Sequence, residues 1–257
     1  MKILVCLKQV PDPEANIEID SARGWICENG GIAYRMNLYD EYALEEAVQI
    51  RESLGDVTVD VISAGSERAA AVLKKGLEKG ANNGIHILLD TDRYRSPGLI
   101  AKLIADYARD RGYDLILTGV MAEDDMQCQA GPLIASHLGL PCAVSVVMEK
   151  ISENRSEITV DCELEGGMNE TLVLTLPCLL TIQSGINRPR YPSLSNVLRA
   201  KEQALITLTA GPARSDQFET VVSICYPESA VKGTILEGTP EQKAEKLLDI
   251  LHEKSLL

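Results

Sequence analysis

Four short aliphatic runs, each followed by a stretch with helical spacing, limit the folds open to this chain more than any other feature. The runs are Ile3–Leu7, Val57–Ser63, Ile85–Leu89 and Leu115–Thr118. Between them, Ala43, Leu44, Ala47 and Val48 mark one face of a helix that Asp40 can cap and Gly55 can stop. Ala69, Val72, Leu73 and Leu77 mark a second helix, with Gly80 as its stop. A third begins at the N-cap Ser96 with Pro97 in its first turn, and a fourth is opened by Pro132 and closed by Gly139. Four β-α steps with strands this apolar predict an α/β fold: a doubly wound, mostly parallel, Rossmann-like sheet with right-handed crossovers. With one Phe and one Trp, the core of such a sheet must be aliphatic.

After Pro141 the pattern changes. Strand-like stretches at 143–148, 157–163, 170–176 and 179–183 follow, and Gly166-Gly167 between the middle pair predicts a β-hairpin. A Pro- and Arg-containing loop from Ile186 leads into a short helix, and a polar stretch covers 211–217. A last helix starts at the capping box Thr239-Pro240-Glu241-Gln242. The expected division is an α/β domain over 1–200 and a C-terminal extension over 201–257.

A net charge of −13 argues against a nucleic-acid partner, because neutralising phosphates needs clustered Lys and Arg. It reads as a device for solubility, or as an acidic surface offered to a basic partner. Seven scattered cysteines with no C-x-x-C pair point to reduced, mostly buried thiols in a cytoplasm, with no metal site. The apolar run at residues 3–7 is too short for a signal peptide, and no run approaches the roughly 20 residues that cross a bilayer.

No enzyme motif is present: there is no G-x-G-x-x-G after the first strand, no phosphate-binding G-x-x-x-x-G-K-[ST], no H-E-x-x-H and no G-x-S-x-G. His86, His137 and His252 are far apart, and His137 suits a structural place at a helix C-terminus. No catalytic residue is expected. What the residues offer is a place for a phosphate. The fourth strand ends at Thr118-Gly119, and the loop runs into a helix N-terminus at Gly131-Pro132. Open α/β folds bind ligands at that sheet edge, and a helix N-terminus supplies unpaired N–H donors. Gly131 is expected to let the backbone come close to a ligand. The carboxylates of Glu123, Asp124 and Asp125 would repel a phosphate and must point elsewhere, to ribose hydroxyls or backbone amides. A plain strand-to-helix connection is the alternative.

Several separated segments, in order, resemble the beta subunit of electron transfer flavoproteins. They are Lys2–Asp12, Met36–Ala47, Asp114–Gly119 with the acidic loop and Gln129–Pro132, Glu165-Gly166-Gly167, and Asn187–Leu194. The resemblance covers residues 1–205 and implies an adenine nucleotide across the sheet edge, making 1–200 a nucleotide-binding domain. The contacts it implies are Cys6, Asn37, Leu38, Tyr39, Asp40 and Ala64. From the loop it adds Gly119, Val120, Met121, Ala122, Asp124, Asp125, Gln127, Cys128, Gln129 and Ala130. It also implies an FAD shared with, or bound beside, an alpha subunit, on which residues 201–257 would pack as an arm. Pro189, Arg190, Tyr191 and Leu194 would form a recognition loop for an acyl-CoA-type dehydrogenase, with Leu194 as the anchor. Glu163 matches an acid that tethers the alpha subunit's flavin domain. The function implied is electron carriage within a heterodimer rather than catalysis by this chain.

The sequence departs from the family pattern at the nucleotide loop. Members that hold AMP commonly have Lys-Gln where Val120-Met121 stand, and Thr-Gly-Gln in place of Ala130-Gly131-Pro132. The latter triplet looks more like members that bind a second FAD and bifurcate electrons, although those carry Arg-Gln in the loop. FAD is the expected occupant and AMP the alternative. A stand-alone nucleotide-binding module of the universal-stress type is a further reading of the same strand pattern.

Overall fold

The structure is a computed structural model and describes residues 1–20, 25–27, 31–90, 94–210, 219, 221–226 and 233–257. The polar stretch expected at 211–217 lies outside the described residues. The chain divides into two compact units, Met1–Ser223 and Ile224–Leu257.

In the first unit, β1 (Lys2–Cys6) is followed by β2 (Gln9–Pro11), β3 (Ile19–Asp20), β4 (Trp25–Ile26) and β5 (Tyr34–Met36). The segment expected as a plain polar loop therefore carries two small antiparallel ladders, β2 with β5 and β3 with β4. The β-α steps follow: α1 (Leu38–Leu54), β6 (Thr58–Gly65), α2 (Ala70–Lys79), β7 (Asn83–Leu88), α3 (Pro97–Ala108), β8 (Leu115–Gly119) and α4 (Ala130–Leu138). Then come β9 (Cys142–Ile151), β10 (Glu157–Glu163), β11 (Asn169–Thr175), β12 (Cys178–Ile182), α5 (Leu194–Glu202) and β13 (Ile206–Thr209).

One sheet has the order β11-β10-β9-β12-β8-β1-β6-β7-β13. From β9 to β13 every neighbouring pair is parallel, whereas β10 pairs antiparallel with both β9 and β11. The expected hairpin is there, with Glu163 opposite Asn169 across the Gly166-Gly167 turn. The chain then crosses back, so that β12 lies between β9 and β8 as a parallel strand.

The central strands are apolar because both faces are covered. Ile3, Val5, Val61 and Leu117 pack with α1 and α2, while Leu4, Cys6, Ile62 and Ile116 pack with α3 and α4. A fully buried Ile or Leu such as these contributes about 1.5–3 kcal/mol. The first four long strands lie in the order β7-β6-β1-β8, so the winding reverses between β1 and β8. The helix after β1 covers one face and the helix after β8 the other, which leaves a crevice at the carboxyl ends of these two strands.

Three expectations are corrected. Asp40 is not the cap of α1: the N-cap is Asn37, and Asp40 sits buried in the first turn. The helix opened at Gly131-Pro132 starts at Ala130. The first unit also runs past residue 200, because Ile206–Thr209 pairs with β7 and continues the sheet. In the second unit, α6 (Pro240–Glu253) begins at the capping box: Thr239 Oγ1 accepts from the Gln242 amide, and Gln242 Oε1 accepts from the Thr239 amide. Leu247 and Leu248 of this helix are exposed.

Candidate functional site

The crevice at the winding reversal is an open cavity of about 310 Å³. It reaches from the ends of β1 and β6, at Cys6 and Ala64, to the loop that joins β8 to α4. The loop does not fill this corner with its own side chains. Ile100, Ile104 and Ile134 supply an apolar floor.

Asp40 holds the crevice together. Its Oδ2 accepts from the Lys8 amide at 2.7 Å and its Oδ1 from the Gly119 amide at 3.0 Å. One carboxylate thereby ties the chain just after β1 to the end of β8. Burial pushes the Asp40 carboxyl up to about 7, against those two amides, which favour its charged form. Glycine is required at 119 for this approach: an added Cβ would lie 2.5 Å from Asp40 Oδ1 and 2.6 Å from Tyr39 Cβ.

The three loop carboxylates are held by two cations, Lys8 and Arg35. Lys8 Nζ bonds Asp124 Oδ1 at 2.7 Å and Asp125 Oδ2 at 2.8 Å. Burial pulls the Lys8 ammonium down, but the two carboxylates outweigh it and hold it above the usual lysine range. Glu123 accepts from Arg35 at 2.8 Å and, through its other oxygen, from the Leu38 amide at 3.0 Å. Asn37 completes the seam, its Nδ2 donating to Met121 O and its Oδ1 accepting from the Glu123 amide. Glu123 thus takes the capping role that Asp40 was expected to have, binding an orphan amide at the positive end of α1. Met126 and Cys128 sit at φ 52° and 56°, so the next part of the loop is held in left-handed backbone.

Of the nucleotide contacts expected from the sequence, Cys6, Asn37, Asp40, Ala64, the four residues 119–122, Asp124, Asp125 and the four residues 127–130 line the cavity. Leu38 and Tyr39 do not. They occupy the first turn of α1, which leans on Gly119, and their place in the crevice is taken by Asn37. Gly131 lines the cavity and has a second task. A Cβ there would lie 2.7 Å from both Thr118 Oγ1 and Thr181 Cγ2, so glycine also lets α4 approach the strands. Burial lifts the Cys6 thiol well above the ordinary range and keeps it protonated.

Sequence reasoning missed Lys8, Trp25, Tyr34, Arg68 and Tyr94, which also line the cavity. Lys8 alone had a local signal, since it directly follows the first strand. His86 is structural, with Nε2 between the carbonyls of Gly65 and Ser66 at 3.1 and 3.0 Å. Its ring ties the middle of β7 to the end of β6.

A separate exposed feature lies at 186–194. Tyr191 is 95% and Leu194 75% exposed, so Leu194 is not tucked under its own loop. Arg190 is engaged within the chain: it donates to both oxygens of buried Glu45 and pairs with Glu52. Asn187 Nδ2 donates to Tyr42 O and Glu46 Oε2. Pro189 is half-buried beside these anchors, and Glu163 is exposed at the end of β10.

The sequence profile of the electron transfer flavoprotein domain matches residues 24–213, well over half of the chain. The chain belongs to the electron transfer flavoprotein family. Among curated relatives it is 30% identical over 261 aligned positions to the electron transfer flavoprotein subunit beta of Bacillus subtilis, covering 99% of each chain. It is 31% identical to the subunit beta of Methylophilus methylotrophus, with 98% of each covered. It is 34% identical to the mitochondrial subunit beta of Arabidopsis thaliana, with 94% and 95% covered. The chain is therefore an electron transfer flavoprotein subunit of the beta type. Among its described residues, no helix is long and apolar enough to cross a membrane.

Proposed function

We propose that this chain is the beta subunit of a heterodimeric electron transfer flavoprotein and that the β1/β8 crevice holds the adenine nucleotide of that assembly. The observation that carries the proposal is the open corner between Gly119 and Ala130, whose three acidic side chains are engaged by Lys8 and Arg35. The cavity chemistry fits such a group. It combines an aliphatic floor for a ring and the N-terminus of α4 for a phosphate.

FAD is the favoured occupant, on the strength of Ala130-Gly131-Pro132, which lacks the Thr hydroxyl of the AMP-type loop. Bound as FAD, the group would supply electron transfer. The chain's own residues bind, orient and shield it: Asp40 fixes the two strand ends, Asn37 and Glu123 hold the loop, and Lys8 keeps the acids away. A structural AMP is the second reading, favoured by a cavity at the small end of the ~300–1,000 Å³ range of ligand pockets.

The alpha subunit is the proposed partner, with residues 224–257 as an arm on it and Glu163 as a contact to its flavin domain. A flavin dehydrogenase of the acyl-CoA type is the proposed client of Tyr191 and Leu194, with Pro189 and Arg190 shaping the loop. The cytoplasm is the proposed compartment. Co-expression with an alpha-type subunit should give a yellow heterodimer, and weighing the released nucleotides distinguishes two FAD from one FAD plus AMP. A colourless chain that ignores the alpha subunit would overturn the proposal.

A further inference from the structure

This chain is poor in aromatic residues, with one Trp, one Phe and eight Tyr, and among the described residues only Tyr113 belongs to the buried core. Three of the remaining aromatics, Trp25, Tyr34 and Tyr94, line the crevice described above. They arrive from unrelated parts of the chain. Trp25 is carried by the β3–β4 ladder, an excursion between β2 and β5 whose described residues contribute nothing to the hydrophobic core. Tyr94 stands in the segment before α3.

Trp25 and Tyr94 meet with ring centroids 5.9 Å apart and planes tilted by 55°. That spacing leaves no slot between them, so the pair forms one wall instead of two jaws. Tyr94 is pinned by its hydroxyl, which donates to Glu219 at 2.7 Å and accepts from Gln127 Nε2 at 2.9 Å. Tyr34 is already covered, with the Arg68 guanidinium 3.4 Å from its ring centroid. The uncommitted aromatic surface in the crevice is thus that of Trp25, backed by a fixed Tyr94.

We propose that Trp25, supported by Tyr94, is the stacking wall for the planar ring of the nucleotide that this crevice binds. The inference rests on the nucleotide reading above and adds the residue that senses the ring. A π-face of this kind holds any flat heteroaromatic ring and is indifferent to sugar and phosphate. The β3–β4 excursion is then explained by its cargo: it delivers the chain's only tryptophan to the site.

The test uses the full-length chain stripped of nucleotide, titrated by calorimetry with AMP, FAD and ribose 5-phosphate. Tryptophan emission is followed during the AMP and ribose 5-phosphate titrations. AMP should alter the emission of Trp25 saturably, and ribose 5-phosphate should leave it unchanged. Trp25→Ala should weaken AMP or FAD by about tenfold, within the range that base–aromatic stacking carries. Trp25→Phe should restore most of the affinity, and neither variant should change the affinity for ribose 5-phosphate. Undiminished AMP and FAD binding by Trp25→Ala overturns the inference alone. An equal loss for ribose 5-phosphate also overturns it, since the tryptophan would then be structural. A wild-type chain that binds neither nucleotide removes the nucleotide reading and this inference together.

Discussion

Gly119 and Asp40 show how single side chains decide whether the crevice exists. The Asp40 carboxylate accepts amides from two strands' ends at once, and Gly119 leaves room for it. Gly119→Ala would put a methyl group 2.5 Å from Asp40 Oδ1 and 2.8 Å from the Tyr39 backbone carbon. Neither neighbour is the far end of a flexible side chain, so the substitution should cost about 1–3 kcal/mol. Gly139→Ala is the control with a different mechanism. Nothing lies within 4 Å of its Cβ position, but φ is +67°, so only the left-handed penalty of about 1–2 kcal/mol applies. Urea unfolding of the two variants should therefore show both destabilised, with nucleotide retention disturbed in Gly119→Ala alone. The sequence pointed to a ligand-facing turn at Gly119 and Gly131; it could not say that the atoms too close for a Cβ belong to the protein itself.

The contact of α1 with β9 carries a pH dependence. Burial pushes Glu149 up to about 7, helped by the charge of Glu46 and a hydrogen bond to it, and burial likewise raises Glu46. Asn187 donates to Glu46 from the other side, while the neighbouring Glu45 is occupied by Arg190 and Gln49. A carboxyl whose pKa is raised by folding stabilises the fold at low pH and loses that contribution as pH rises through the folded value. Stability from this pair should therefore be fully present near pH 4 and fall between about 4.5 and 7. Asp40 acts in the same direction over a similar window. The melting temperature of the chain should drop from pH 5 to pH 8, and Glu149→Gln should flatten part of that drop. An unchanged slope in the variant would mean that the two carboxyls do not share a proton. None of this was readable from sequence, because Glu46 and Glu149 are unremarkable surface-type residues until helix and strand bring them together.

The molecule keeps two surface features apart, a crevice at the sheet's carboxyl edge and an exposed apolar knob at 191–194. The knob stands on a braced base: Arg190 grips Glu45 and Glu52, Asn187 grips α1, and Ser193 caps α5 by accepting from the Asn196 amide. Leu198, one turn along α5, is also exposed and extends the apolar stripe. If this stripe docks a client dehydrogenase, Leu194→Ala should slow electron delivery at least severalfold, as truncating an anchor side chain does. Flavin content and melting temperature should stay as in the wild type. Kinetics with the purified heterodimer and an acyl-CoA-type dehydrogenase would check this, and loss of flavin in the variant would mark the loop as part of the fold instead.

The strand and helix rhythm of the first 140 residues was fixed locally, because burial on both sheet faces demands unbroken aliphatic runs and capped helices write their ends into the chain. The outline of the loop at 119–130 was legible for the same reason: the strand end, the acidic run and the helix start are neighbours in sequence. What required the folded molecule were pairings across long separations. The Lys8 ammonium meets Asp124 and Asp125, Glu123 caps a helix begun by Leu38, and Trp25 meets Tyr94. The insertion of β12 beside β8 and of β13 beside β7 belongs to the same class. Short-range periodicity records which face of an element is buried, but charge neutralisation and ring contact act through space, and their partners are chosen only when the sheet closes.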